Sequence, residues 1–354
     1  MNVRATQAKS SVQSAAMQIA VRSFAKINFG LRIGPLRPDG FHELRTVYQT
    51  IALHDVIRVL VVRGAGIEIR CEDPRVPKDE SNTCYRIVER AMDMLKARGR
   101  VVIEIEKRLP VQGGLGGASA NAVAVLLALE RALKKKLPAP ERLRIASEVG
   151  SDIPLFLIGG TILGVGRGED VYPLPDLPAI PCVIATPKIG VSTPKAFADW
   201  DALAGGSRAH ISSADSKLTL PPASDRMSEF GRVLSAWLSG LSQIKSGRAL
   251  SGVPVSKGRG RAETPLLDLV RTGIENDFEQ VVFPKHPELR DVKRVLERAG
   301  AVCASLSGSG SAIYGLFASR EAAAKAAARL REDGTAAVAT TTLTRQQYWN
   351  KIFD

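Results

Sequence analysis

Apolar and polar residues alternate loosely through IAVRSFAKINFGLRI, residues 19–33, until Gly34-Pro35 interrupts them. A period of two predicts a strand that ends in a turn. RPDGFHEL, 37–44, then reads as a loop around Asp39-Gly40, and DVIRVLVV, 55–62, and GIEIRC, 66–71, as strands paired with each other. TCYRIVERAMDMLKARG, 83–99, spaces its apolar residues three and four apart and stops at a glycine, so a helix is expected there. A strand over RVVIEIEKRLP, 100–110, leads into a glycine cluster, and SANAVAVLLALERALKKK, 119–136, continues as an apolar helix with a basic last turn. PAPERLRIASEVG, 138–150, is a further helix, and SDIPLFLIGGTILGVGRGE, 151–169, a turn and a strand.

IPCVIATPK, 180–188, opens the second half, with helices expected near 274–283, 288–299 and from 320, one strand over AVCASLSGSGSAIYGLF, 301–317, and a last strand near 335–340. Between these, residues 205–262 turn Ser-, Gly-, Ala- and Pro-rich, and 242–262 holds Lys245, Arg248, Lys257, Arg259 and Arg261 with no acid. That composition suggests an insertion with one short helix around 226–241 and a flexible basic tail. Strands and helices mix without a regular βαβ repeat, which points to an α+β fold. The expected organisation is a disordered extension over 1–18, a first domain over 19–185, and a second over 186–354 that carries the insertion. Residues 1–18 admit a targeting segment as the other reading.

The chain has 354 residues, 45% of them hydrophobic, and a formal net charge of +13. That balance suits nucleic acid, an anionic membrane surface or a polyphosphate ligand. Four scattered cysteines form no metal or disulfide framework, and no apolar run is long enough to span a bilayer, so a cytoplasmic protein is expected.

The candidate chemistry sits in LPVQGGLGGASANA, 109–122. Strand, four glycines and helix in sequence would bring a phosphate to the free amides of a helix N-terminus. The Gly-Lys-Ser/Thr ending of a Walker loop is absent, and Ser119 stands where a dinucleotide fingerprint needs glycine. A tight strand–helix turn is the alternative, but two glycines would serve for that.

LPVQGGLGGASANA resembles the second motif of the GHMP kinases, FAKINFGL (24–31) the first, and SLSGSGSAIYGLF (305–317) the third. AKINFGLRIGPLRPDGFHELRTVYQTIALHD, GSDIPLFLIGG, GVGRGE and GVSTPKAF are similar to the branch of that family that phosphorylates a cytidine-diphosphate-linked methylerythritol on the non-mevalonate isoprenoid route. The resemblance implies a ribosomal-S5-like N-terminal domain, a ferredoxin-like C-terminal domain and a cleft between them. It implies ATP and Mg2+ as cofactors and a small-molecule cytidine diphosphate substrate. Lys26 and Asp152 match the catalytic pair. Pro110, Val111, Gln112, Gly113, Gly114, Leu115, Gly116, Gly117, Ala118, Ser119 and Ala120 match the loop around the ATP phosphates, with Asn82 and Lys107 near the adenine. Asn28, Phe41, His42, Thr193 and Phe197 match the acceptor site, the two phenylalanines sandwiching the base. By residue type alone, Asp152 is equally a cap residue and Phe41 and Phe197 equally core. The metal ligands stay unassigned.

Gln112, Ala118, Ala120 and Phe41 depart from the usual residues of that branch. A homoserine- or mevalonate-type kinase and a basic nucleic-acid-binding protein on an S5-like fold are the rival readings. No specific nucleic acid, no membrane, and a monomer or weak homodimer are expected.

Overall fold

The computed structural model describes residues 18–209, 223–246 and 275–353. The expected N-terminal extension up to residue 17, and the insertion over 210–222 and from 247 onward, lie outside these residues.

The first sheet contains β1 (Ile19–Leu36), β2 (His42–Val62), β3 (Ile67–Cys71), β4 (Arg100–Glu106), β5 (Thr161–Val165) and β6 (Asp170–Pro173). Their order is β3-β4-β2-β5-β6, with β1 paired to β2. The 55–62 and 66–71 segments are therefore not partners: β4 lies between them, antiparallel to β2 and parallel to β3. A parallel pair needs a crossover, and α1 (Thr83–Met94) provides it. RPDGFHEL is a loop only as far as Phe41, because His42 already begins β2. Helices α2 (Gly117–Leu133), α3 (Ala139–Val149) and α4 (Ile153–Phe156) complete this half. Residues Ala120 to Glu130 of α2 are all buried, as an all-round apolar helix must be.

The second half contains β7 (Pro181–Ala185), α5 (Thr193–Ala209), α6 (Ala223–Ser246), α7 (Glu279–Lys285), α8 (Pro287–Arg298), β8 (Cys303–Leu306), β9 (Ile313–Leu316), α9 (Arg320–Glu332), β10 (Ala337–Thr341) and α10 (Arg345–Lys351). Its sheet runs β10-β7-β9-β8, all antiparallel. That order, with α8 and α9 as the two crossings, is the ferredoxin-like split βαβ arrangement. The single strand expected over 301–317 is a hairpin, β8 and β9, around a serine–glycine loop. The change of sheet falls between Pro173 and Pro181, ahead of the boundary expected at 185/186. The C-terminal segment returns to the first core through Leu343, Tyr348 and Ile352.

β1 belongs to both halves. Val21 and Phe24 pack in the first core, while Leu31 and Ile33 pack in the second. Residues between them, including Lys26 and Asn28, are thereby held at the junction. The insertion helix starts earlier and runs longer than expected, and its first turns are docked rather than peripheral. Arg226 donates to the Ile33 carbonyl at 3.0 Å and pairs with Asp277, its guanidinium 4.7 Å from the Trp200 ring centre. Among the described residues, no helix is long and apolar enough to cross a membrane.

Candidate active site

Lys26 and Asn28 lie two apart on β1, so their side chains share one face. The Lys26 ammonium is buried, donates to Asn28 Oδ1 at 2.8 Å and to the Gly114 carbonyl at 2.9 Å, and stands 3.5 Å from Asp152 Oδ2. Asn28 Nδ2 donates in turn to Thr46 Oγ1 at 2.8 Å. Both ends of the Asn28 amide are thus engaged, and the residue orients the lysine.

Asp152 occupies the N-cap position of α4 but makes no side-chain cap bond. Its carboxylate turns instead to Lys26 and to Tyr48, whose hydroxyl donates to Oδ1 at 3.0 Å. The Asp152 side chain is 34% exposed against 4% for Lys26, so the carboxylate is the member of the pair open to a substrate. Burial first, and the neighbouring Asp152 charge second, push the Tyr48 phenol well above its ordinary pKa.

The glycine loop has a steric explanation. Gly114 and Gly116 both take left-handed angles, φ 71° and 69°. A Cβ on Gly114 would stand 2.0 Å from the Ser307 carbonyl oxygen, and one on Gly116 would press on Phe156 at 2.9 Å and Lys26 at 3.1 Å. The loop is also stitched to the serine–glycine loop: Ser307 Oγ donates to the Gly114 carbonyl at 2.9 Å and the Ala312 amide to the Gly113 carbonyl at 3.1 Å. Asn276 holds that second loop by donating to the carbonyls of Leu306 and Gly308. The first-turn amides of α2 have no partner inside the helix, which leaves them able to meet an anion.

Two clefts meet here. One, of about 350 Å3, is lined by Pro110 to Ser119 together with Asn82 and Lys107. The other, of about 660 Å3, holds Lys26, Asn28, Asp152, Tyr48 and the acceptor-site candidates. Both are lined by Gly114, Gly116 and Ser119. Ala120 lines neither cleft; it is buried and its amide is already bonded to the Gly116 carbonyl at 2.8 Å. Asn82 caps α1 by accepting from the Cys84 amide, and Lys107 pairs with the fully buried Asp55 at 2.7 Å. Asp55 also accepts from the amides of Arg108 and Leu109 and from Asn121 Nδ2, so it anchors the entry to the glycine loop.

Phe41, His42, Thr193 and Phe197 all line the larger cleft. His42 stacks on Phe197, ring centres 5.4 Å apart and planes at 5°, while its Nδ1 lies 3.0 Å from the Gly34 carbonyl. Its Nε2 is 3.0 Å from Asp201 Oδ1, a carboxylate that also lines this cleft. Phe41 is half exposed and carries the Arg167 guanidinium 4.9 Å from its ring centre. Each ring is therefore covered by a neighbour: Phe197 by His42, Phe41 by Arg167. Thr193 shares a 2.7 Å hydroxyl contact with Ser309.

Residues 82–160 match the GHMP kinases N terminal domain, and residues 263–336 the GHMP kinases C terminal domain. A 4-diphosphocytidyl-2-C-methyl-D-erythritol kinase of Solibacter usitatus (strain Ellin6076) is 38% identical over 315 residues, 89% of this chain and 86% of the relative. The chain belongs to the 4-diphosphocytidyl-2-C-methyl-D-erythritol kinases. A second such kinase, from Desulfitobacterium hafniense (strain Y51), is 34% identical over 89% of this chain and 92% of its own length.

Among solved structures, a 4-(cytidine 5'-diphospho)-2C-methyl-D-erythritol kinase is 28% identical with a TM-score of 0.65, covering 92% of this chain and 99% of that one. A homoserine kinase from Cytophaga hutchinsonii reaches a TM-score of 0.66 at 21% identity, over 96% of this chain and 99% of its own. The fold is thus common to GHMP kinases acting on different acceptors, and sequence separates this kinase from that neighbour. The chain is an ATP-dependent small-molecule kinase.

Three residues of this kinase's site carried no assignment in the sequence: Tyr48, Asp55 and Asn276. Tyr48 and Asp55 sit in the matched stretch 25–55, but a tyrosine and an aspartate on a strand have no spacing signature that tells a partner of the site from core or turn.

Proposed function

We propose that the protein transfers the γ-phosphoryl group of ATP to the 2-hydroxyl of 4-diphosphocytidyl-2-C-methyl-D-erythritol, giving the 2-phosphate and ADP in the non-mevalonate isoprenoid route. One observation carries the reading: among the described residues the two clefts share Gly114, Gly116 and Ser119 in their linings, and the Lys26–Asp152 pair lines the larger of the two.

The triphosphate lies along the loop from Pro110 to Ser119, its charge met by amides and by the positive end of α2. Adenine occupies the end lined by Asn82 and Lys107. The acceptor hydroxyl enters the larger cleft beside Asp152, whose carboxylate takes its proton as the new oxygen–phosphorus bond forms and the bond to the ADP oxygen breaks. Lys26, 3.5 Å from that carboxylate, meets charge growing on the transferred group. His42 and Phe197 receive the cytosine, with Phe41 at the mouth and Thr193 near the diphosphate. Mg2+, arriving with the nucleotide, would neutralise phosphate charge; Ser119, which lines both clefts, and Asp152, which lines the larger one, would supply side-chain oxygens to it. Among the described residues no group of three His, Cys, Asp or Glu could hold a metal alone. That fits an ion bound largely through substrate phosphates.

The test is ADP release with ATP and 4-diphosphocytidyl-2-C-methyl-D-erythritol, run beside homoserine and mevalonate. Turnover confined to the cytidyl substrate supports the reading; turnover of either rival acceptor at an equal kcat/KM overturns it.

A further inference from the structure

Tyr48 has no part in the mechanism above, yet it touches both members of the catalytic pair. Its hydroxyl donates to Asp152 Oδ1 at 3.0 Å, and the Lys26 ammonium lies 5.6 Å from its ring centre. We propose that Tyr48 is a positioning residue for phosphoryl transfer, holding Asp152 by one oxygen so that the other faces Lys26 and the acceptor hydroxyl. The inference rests on Asp152 being the proton acceptor.

A partly exposed aspartate at the start of a four-residue helix has no intrinsic reason to keep one rotamer, and here it makes no cap bond. Lys26 at Oδ2 and Tyr48 at Oδ1 restrain both torsions. Tyr48 can do this because it is itself fixed. It pairs with Asn28 across β1 and β2 and is only 2% exposed.

The strand and turn beside it are cut away to admit the ring. A Cβ on Gly164 would stand 2.4 Å from Tyr48 Cε2, and one on Gly168 would stand 2.5 Å from the hydroxyl. Both glycines belong to GVGRGE, a motif with no other assigned task. The phenol also stays a donor, since burial and the Asp152 charge oppose its ionisation. No proton is passed through it; the hydroxyl of the acceptor delivers its proton to Asp152, and Tyr48 keeps its own.

The experiment is a cycle on the full chain: Tyr48→Phe, Asp152→Asn and the double variant, with steady-state kinetics for ATP and the cytidyl substrate and a thermal midpoint for each. Tyr48→Phe is expected to lower kcat roughly 10-fold, the scale of one hydrogen bond to a charged group. Both KM values should stay within about twofold, with a thermal midpoint close to the parent's. In the Asp152→Asn background the same change should alter the residual kcat by less than about twofold, because there is no carboxylate left to position. A parental kcat in Tyr48→Phe, a loss that appears in KM, or an equal loss in both backgrounds overturns the inference. Parental turnover in Asp152→Asn alone overturns the reading of Asp152, and the inference with it. A disabled Asp152→Asn beside a fully active Tyr48→Phe overturns the inference and leaves that reading standing.

Discussion

Gly114 and the carbonyl of Ser307 are in such close contact that an added Cβ would stand 2.0 Å from the oxygen. The two residues are 193 positions apart in the chain, and the Ser307 hydroxyl also donates to the Gly114 carbonyl at 2.9 Å. The contact joins the glycine loop of the first half to the serine–glycine loop of the second.

Gly114→Ala should therefore separate the two loops and disable the join between the clefts. The backbone there also has φ 71°, which alanine adopts at a cost of roughly 1–2 kcal/mol. A loss of ATP turnover of at least about 100-fold is expected. Steady-state kinetics with nucleotide-binding calorimetry checks it; near-parental activity would mean that the contact has no bearing on catalysis.

Asp152→Asn preserves shape and removes the proton acceptor. Turnover should fall about 100-fold or more, with ATP binding largely kept. Lys26→Ala should damage kcat comparably, because it takes away the ammonium 3.5 Å from that carboxylate. A defect of Lys26→Ala confined to the KM for ATP would place the lysine with the nucleotide instead.

Phe197 and Phe41 should act on the acceptor alone. Replacing either by alanine is expected to weaken binding of the cytidyl substrate by about 1–3 kcal/mol, roughly 5- to 150-fold in KM, while the constant for ATP hardly moves. Phe197→Ala should have the larger effect, since it also removes the ring on which His42 stacks at 5.4 Å. Substrate titrations at saturating ATP decide this; unchanged acceptor constants in both variants would remove the two rings from the acceptor site.

Arg226→Met should uncouple the insertion helix. It deletes a buried partner of Asp277 and the bond to the Ile33 carbonyl. Asp277 keeps Arg32 Nη1 at 2.8 Å, so the cost is expected at the low end for a broken buried pair, about 3 kcal/mol. A fall of roughly 4 °C in thermal midpoint follows for a chain of this size. A midpoint within about 1 °C of the parent would show that α6 contributes nothing to stability through this clamp.

Alkaline pH should destabilise the fold. Burial pushes the Tyr48, Tyr314 and Tyr348 phenols above their ordinary range and the Cys84 and Cys303 thiols up to about 12. These groups keep their protons in the folded chain, while the unfolded chain releases them from about pH 8.5 to 10. The unfolded state then binds fewer protons, so the stability is fully present below that range and is lost progressively as pH rises from it through the higher folded values. Thermal midpoints taken from about pH 7 to 11 should fall progressively from about pH 9. A flat profile to pH 11 would contradict the burial of these groups.

The local order of the chain determined much of this protein. LPVQGGLGGASANA announces a loop in close contact because glycine costs order wherever it serves no contact, and the apolar helix after it has only one sensible environment, a core. Lys26 and Asn28 share a face because a strand has period two, which needs no knowledge of the rest of the fold. Helices α8 and α9 were legible for the same reason: their apolar spacing is local. What tertiary structure alone decided is every relation between distant segments. The insertion of β4 between β2 and β3, the return of Tyr348 to the first core and the docking of Arg226 on Asp277 depend on pairings that period and propensity do not encode. Asp152 had the look of a cap, and its true partners lie 126 and 104 positions away, beyond any window of sequence pattern. Tyr48 reads as one more aromatic of a strand until the chain closes around it, because a hydroxyl gains its role only from the carboxylate it meets.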